Sequence, residues 1–117
     1  MENHDDPIET LRDVHHKLMV LSENSTVPRE KQDALFEQAE RIRHQVEELV
    51  AKELNQSSQA YVALMTSISD TTNAVTRAEN TIRRVIDGIK TTAELAASVD
   101  DVISQTGQLV ENLAKVL

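Results

Sequence analysis

The apolar residues of this chain recur every three or four positions almost throughout its length. In the first segment they are Ile8, Leu11, Val14, Leu18 and Leu21, and in the second Leu35, Ala39, Ile42, Val46 and Leu49. This spacing places the apolar side chains of each segment on one face of an α-helix. Each apolar segment repeats at helical rather than strand spacing, so the pattern predicts an all-α protein.

From Tyr61 to Leu117 the same pattern continues without a break in phase. The positions are Tyr61, Leu64, Ile68, Thr71, Val75, Ala78, Ile82, Val85, Ile89, Thr92, Ala96, Val99, Ile103, Thr106, Val110, Leu113 and Leu117. A heptad repeat of this kind is typical of helices that pack together with a left-handed supercoil. From Leu95 onward a third position joins the stripe, at Leu95, Val102, Leu109 and Val116. The wider apolar face predicts a last helix that contacts more than one neighbour.

Capping residues and polar segments divide the pattern into helices. Asp6 and Pro7 suit the start of the first helix, with Glu9 completing a capping box. Pro28 suits the start of the second helix, after Ser25 or Thr26. The segment NQSSQ (55–59) is rich in residues that favour caps, although it contains neither Gly nor Pro, so an uninterrupted helix is the alternative there. We predict a single helical domain, 1–117, with approximate helices at 7–23, 28–54, 58–87 and 91–117.

The segment VIDGIKTTAEL (85–95) decides the architecture. In favour of a turn, Gly88 can occupy the left-handed position after a helix end, Ile89 can make the apolar contact that follows, and Thr91 with Glu94 can cap the next helix. Against a turn, the heptad phase runs through unbroken, and Gly inside a helix costs only about 1 kcal/mol.

Helix length favours the turn. A continuous helix from about residue 58 to residue 117 would be roughly 90 Å long, and its apolar seam would stay exposed unless chains associated. We therefore expect an antiparallel helical bundle of three long helices and a shorter N-terminal one. The alternative is a long continuous C-terminal helix that forms an oligomeric coiled coil. Homo-association is expected in both cases.

Composition and charge exclude several classes of function. The formal net charge of −8 and the isoelectric point of about 4.9 disfavour binding to nucleic acid and to anionic membranes. The chain has no cysteine, so disulfides and thiolate chemistry are absent. No apolar run approaches the roughly 20 residues that span a bilayer. The acidic start, MENHDDPIE, is unlike a signal peptide, so we expect a cytoplasmic protein, with export that needs no cleaved signal as the alternative.

Few residues suggest catalysis or metal binding. Glu40, His44 and Glu48 stand one helical turn apart, but His44 lies off the apolar stripe, and a solvated row is the simpler interpretation. The adjacent His15 and His16 diverge on a helix, and only His15 borders the stripe. We therefore predict no catalytic, cofactor-binding or metal-binding residues and no cofactor. A metal-binding or catalytic bundle that uses His15, His16, His44 and nearby carboxylates is the alternative.

One basic stripe interrupts the acidic surface of the predicted bundle. It could receive an acidic partner helix or pair with the chain's own acidic segment around Glu47, Glu48 and Glu53. Together with the wide apolar face, it makes the candidate partner-binding residues Leu95, Val102, Leu109, Arg77, Arg83, Arg84 and Lys90. We predict a non-enzymatic, self-associating module that binds a protein partner, as adaptor, chaperone-like, secretion-associated or immunity-type proteins do.

Overall fold

Four helices account for about 80% of the residues described by a computed structural model, which covers residues 6–117. They are α1 (Pro7–Ser22), α2 (Arg29–Leu49), α3 (Gln59–Ile86) and α4 (Thr92–Val116). None of the residues from 6 to 117 belongs to a strand. The predicted all-α helical bundle is confirmed.

The first helix begins as its sequence predicts. The Asp6 carboxylate accepts hydrogen bonds from the backbone N–H groups of Ile8 at 3.0 Å and of Glu9 at 3.4 Å, and Pro7 occupies the first helical position. Two of the N–H groups that a helix leaves unpaired at its start are thereby satisfied.

The second helix begins at Arg29, one residue after the predicted start at residue 28, and Asn24 builds the connection between α1 and α2. The side-chain oxygen of Asn24 accepts from the N–H of Thr26 at 2.8 Å, and the backbone carbonyl of Asn24 accepts from the N–H of Val27 at 3.1 Å. This turn places Val27 in the core. Pro28 then precedes the helix without capping it through a side chain, because its ring carries no acceptor.

The second helix ends at Leu49, earlier than the predicted end at residue 54. Val50 is half exposed, because the apolar stripe leaves the core-facing phase at this point. The predicted break in NQSSQ is confirmed: the Asn55 carbonyl accepts from the N–H of Ser58 at 3.0 Å, and the Ser58 hydroxyl caps α3 by accepting from the N–H of Tyr61 at 3.1 Å.

The chain turns at Gly88. Its φ of +77° lies in the left-handed region, and its N–H donates to the Val85 carbonyl at 3.0 Å. The N–H of Ile89 donates to the Arg84 carbonyl at 2.8 Å, so both bonds of a Schellman motif are present. The alternative of one continuous C-terminal helix is therefore wrong for this structure.

The next helix starts with the predicted capping box. The Thr91 hydroxyl accepts from the N–H of Glu94 at 3.1 Å, and the Glu94 carboxylate accepts from the N–H of Thr91 at 2.9 Å. The apolar contact expected from Ile89 is absent, since this side chain is 67% exposed. The turn therefore rests on backbone geometry and on the cap.

Helices α3 and α4 form an antiparallel hairpin. Side chains bridge it along its length, in the pairs Thr81 with Ser98 (3.2 Å), Arg77 with Asp101 (2.9 Å) and Thr71 with the Gln105 carbonyl (3.2 Å). The midpoints of these pairs lie between residue 88 and residue 90, because the connection between the helices runs from residue 87 to residue 91.

Helices α1 and α2 form a second hairpin, which packs beside the first so that neighbouring helices of the two hairpins run parallel. Helix α2 follows α4 in the same direction, through the contacts of Lys31 with Asp100, Gln38 with the Ile103 carbonyl and Gln45 with the Val110 carbonyl. Helix α1 contacts α2 and α3, whereas α2 does not contact α3. Around the bundle the order is therefore α1, α2, α4, α3, and the connection from residue 50 to residue 58 crosses the end of the bundle diagonally.

The core lies between the two hairpins and follows the predicted stripes of α1, α2 and α3. In α4, however, the fully buried side chains include Leu95, Val102 and Leu109 of the third position, whereas the stripe residues Ile103, Val110 and Leu117 are only partly buried. The core contains Thr106, whose hydroxyl donates to the Val102 carbonyl at 2.7 Å and is thereby satisfied.

Candidate interaction surface

The apolar part of the predicted partner-binding set lies inside the bundle. Leu95, Val102 and Leu109 are 0% exposed and belong to the chain's own core. Helix α4 contacts both α3 and α2, which confirms the prediction of more than one neighbour. The wide apolar face of α4 is therefore covered by these two helices. These three side chains are not accessible to a partner in this structure.

The basic part of the set is on the surface, and half of it is paired within the α3–α4 hairpin. Arg77 bonds to Asp101 at 2.9 Å, and Lys90 pairs with Glu94 at 3.6 Å. Neither contact involves the acidic segment around Glu47, Glu48 and Glu53 that the sequence suggested. That segment lies at the opposite end of the bundle, because α2 runs parallel to α4.

Arg83 and Arg84 occupy the last turn of α3 and are exposed. Neither has an ion-pair partner among residues 6–117. Positive charge is favourable at this end of a helix, because the unpaired carbonyl groups there carry partial negative charge. These two guanidinium groups remain available to an acidic group from outside the chain.

The α3–α4 hairpin extends beyond the α1–α2 hairpin at the end that carries Gly88. Lys31, the third residue of α2, meets Asp100, which is well inside α4. The start of α2 at Arg29 is therefore level with about residue 94 to residue 98 of α4, so α4 begins about 3 to 9 Å beyond it at 1.5 Å per residue. The end of the hairpin has solvent on several sides as a result.

Two isoleucines are exposed at this end. Ile86 is 69% and Ile89 is 67% exposed, more than any other large apolar side chain among residues 6–117. We call the surface formed by Arg83, Arg84, Ile86, Ile89 and Lys90 the hairpin tip. Sequence reasoning found its charges but missed Ile86, although an isoleucine outside the heptad stripe was the available signal.

The histidine that borders the apolar stripe lines a small cleft between α1 and α2. The cleft has a volume of about 140 Å³ and is lined by Arg12, His15, Arg43, Val46 and Glu47. The buried Nε2 atom of His15 has no hydrogen-bond partner among residues 6–117. Burial lowers the pKa of His15 below its ordinary value, and the nearby Arg43 and His16 act in the same direction, while the Glu40 carboxylate opposes them.

The row of Glu40, His44 and Glu48 does not converge on a site. Glu40 instead accepts from the Arg43 guanidinium at 2.9 Å, and this bond lowers the pKa of Glu40 and raises that of Arg43. His44 and Glu48 are exposed. Within residues 6–117, no three His, Cys, Asp or Glu side chains are grouped closely enough to hold a metal ion.

None of the four helices is both long and apolar enough to cross a bilayer, as far as residues 6–117 are concerned. Comparison with protein-family models, curated proteins and solved structures found no significant match.

Proposed function

We propose that the protein is a non-enzymatic helical module that binds an acidic protein surface through the hairpin tip. The observation that carries the proposal is the combination of Ile86 and Ile89, both about two-thirds exposed, with two arginines that lack an acidic partner within the described chain. Exposed apolar side chains with a polar rim are typical of protein-binding surfaces, and the rim here is mainly basic, with Asp87 as an acidic member.

The tip has the properties that favour such a role over a purely structural one. The Schellman turn and the capping box hold the backbone of residues 84–94 in one conformation before any partner binds. A preorganised surface loses less conformational entropy on binding. The arginines would speed the encounter with an acidic surface, and the isoleucines would supply most of the affinity.

A photoreactive amino acid at position 89 tests the proposal in cells that express the protein. We expect covalent adducts to a protein at Ile89 and none at Asn73, an exposed position in the middle of α3. The adducts should disappear when Arg83→Glu and Arg84→Glu are added. Equal labelling at both positions, or none at position 89, would contradict the proposal.

Elemental analysis of untagged protein tests the non-enzymatic part from another direction. A stoichiometric amount of iron, zinc or manganese would contradict the non-enzymatic proposal and favour the alternative, a metal-binding bundle. We expect substoichiometric metal, since the side chains in the described part do not form a group of ligands.

A further inference from the structure

A second surface of the same chain has the opposite charge and its own exposed aromatic ring. Phe36, the one phenylalanine, lies on the outward side of α2 and is 48% exposed. It lines a shallow groove together with Glu30, Asp33, Ala34, Glu37 and Glu40. We call this groove the α2 outer face.

The charges of the α2 outer face are only partly neutralised. Glu40 bonds to Arg43, and Asp33 lies 4.0 Å from Arg29 at the limit of an ion pair. Glu30 and Glu37 have no cationic partner among residues 6–117. Two unpaired carboxylates therefore flank an exposed aromatic ring, as two unpaired guanidinium groups flank the isoleucines of the hairpin tip.

We propose that the hairpin tip of one chain docks on the α2 outer face of a second copy of this chain. The inference rests on the proposed function and names the acidic surface that the tip binds. Phe36 would contact Ile86 and Ile89, while Arg83 and Arg84 would pair with Glu30 and Glu37. Apolar contact in the centre and opposite charges at the rim are the arrangement found in specific interfaces.

The two surfaces cannot meet within one chain. Ile86 lies level with the first turn of α4, and Phe36 lies below Lys31, which is level with Asp100. The bonds from Gln38 and Gln45 place Phe36 level with about residue 101 of α4, so the two side chains are roughly 12 to 18 Å apart along the bundle axis at 1.5 Å per residue. The rigid pairing of the hairpins prevents their approach, so complementary contact requires two molecules.

The interface joins different surfaces on its two sides, so it is heterologous. A heterologous contact leaves one free tip and one free outer face on every dimer, and it can therefore extend into rings or open chains. Its area is small, so we expect weak association, with a Kd of about 10 to 100 µM. The net charge of −8 does not prevent it, because distant charges are screened beyond about 8 Å at physiological salt.

Charge reversal on either surface tests the pairing. In sedimentation equilibrium of the purified chain, Arg83→Glu with Arg84→Glu, or Glu30→Arg with Glu37→Arg, should each weaken self-association at least about tenfold. An equimolar mixture of the two variants should associate again, because each acidic surface then meets a basic one. Variants that stay folded by circular dichroism but fail to associate when mixed would overturn the inference.

Removal of the apolar anchors tests the heterologous geometry. A chain with Ile86→Ser and Ile89→Ser keeps its outer face, and a chain with Phe36→Ser keeps its tip. We expect each alone to be monomeric and their mixture to give a one-to-one dimer and nothing larger. Wild-type protein that stays monomeric up to about 1 mM, far above the expected Kd, would overturn the inference. In the cellular experiment described above, the absence of covalent adducts from the photoreactive amino acid at position 89 would instead count against the proposed function.

Discussion

The N–H of Ile89 donates to the carbonyl of Arg84 at 2.8 Å, across the left-handed residue Gly88. This bond closes the end of α3 and sends the chain back along α4. It exists only because Gly88 adopts a φ of +77°, which side chains with a Cβ rarely tolerate. The turn therefore depends on one residue.

We predict that Gly88→Ala lowers the free energy of unfolding by about 1 kcal/mol or more, because a Cβ strains the left-handed backbone. The matched control is Gly107→Ala in α4. A Cβ there would meet only the Gln38 side-chain nitrogen, at an ordinary 3.8 Å, and alanine is the better helix former by about 1 kcal/mol. Urea denaturation should give opposite signs for the two variants. A gain in stability for Gly88→Ala would contradict the turn.

The capping box gives a second prediction for the same connection. Thr91→Ala removes the hydroxyl that accepts from the N–H of Glu94, and it should cost about 1 kcal/mol. Thr92→Ala, at the next and exposed position, should change stability by less than about 0.5 kcal/mol. Equal melting temperatures for the two variants would show that the cap contributes nothing.

An aspartate should have very different effects on stability at two positions of α3, 82 and 86, that lie one helical turn apart. Ile82 is 7% exposed, so Ile82→Asp should destabilise by about 3 kcal/mol or more through lost packing and a buried charge. Ile86 is 69% exposed, and Ile86→Asp should leave the stability of dilute protein nearly unchanged. Similar denaturation midpoints for the two variants would mean that the buried seam is misplaced.

The lowered pKa of His15 predicts a loss of stability in weak acid. The folded state resists protonation at this residue, so the unfolded state binds the proton more readily below the ordinary pKa of about 6.5. Stability from this source is full above that pH and falls as the pH drops below it. His15→Leu should flatten the pH dependence between about pH 7 and pH 5.5. Thermal denaturation of the wild type and the variant across this range measures both slopes, and equal slopes would contradict the prediction.

The sequence predicted the helices better than their surroundings. The stripes of α1, α2 and α3 and the caps at Asp6 and Thr91 involve residues close together in the chain, so local spacing was enough. The role of Asn24 in the α1–α2 turn was not predicted, because serine, threonine and asparagine offer similar hydrogen bonds and only the tertiary position of Val27 distinguishes them.

The candidate surface was only half predictable. The apolar face formed by Leu95, Val102 and Leu109 is equally suited to contact a partner or to contact α2. The spacing of apolar residues does not distinguish an intramolecular neighbour from an intermolecular one. The exposure of Ile86 depends on the different lengths of the two hairpins, and the ends of helices are the least certain part of a sequence prediction.

The glutamines between α2 and α4 have a consequence for partial unfolding. Gln38 and Gln45 each donate to a carbonyl of α4, yet their own buried Oε1 atoms lack a partner within the described part of the chain. This boundary therefore contributes less to stability than its burial suggests. Each hairpin, in contrast, has more extensive contact between its own two helices than with the other hairpin. The lowest sub-global opening should therefore separate the two hairpins as intact units, and native-state hydrogen exchange should show α1 and α2 amides opening together. Such an opening would uncover Leu95, Val102 and Leu109, which are reachable by another helix only in that minor state.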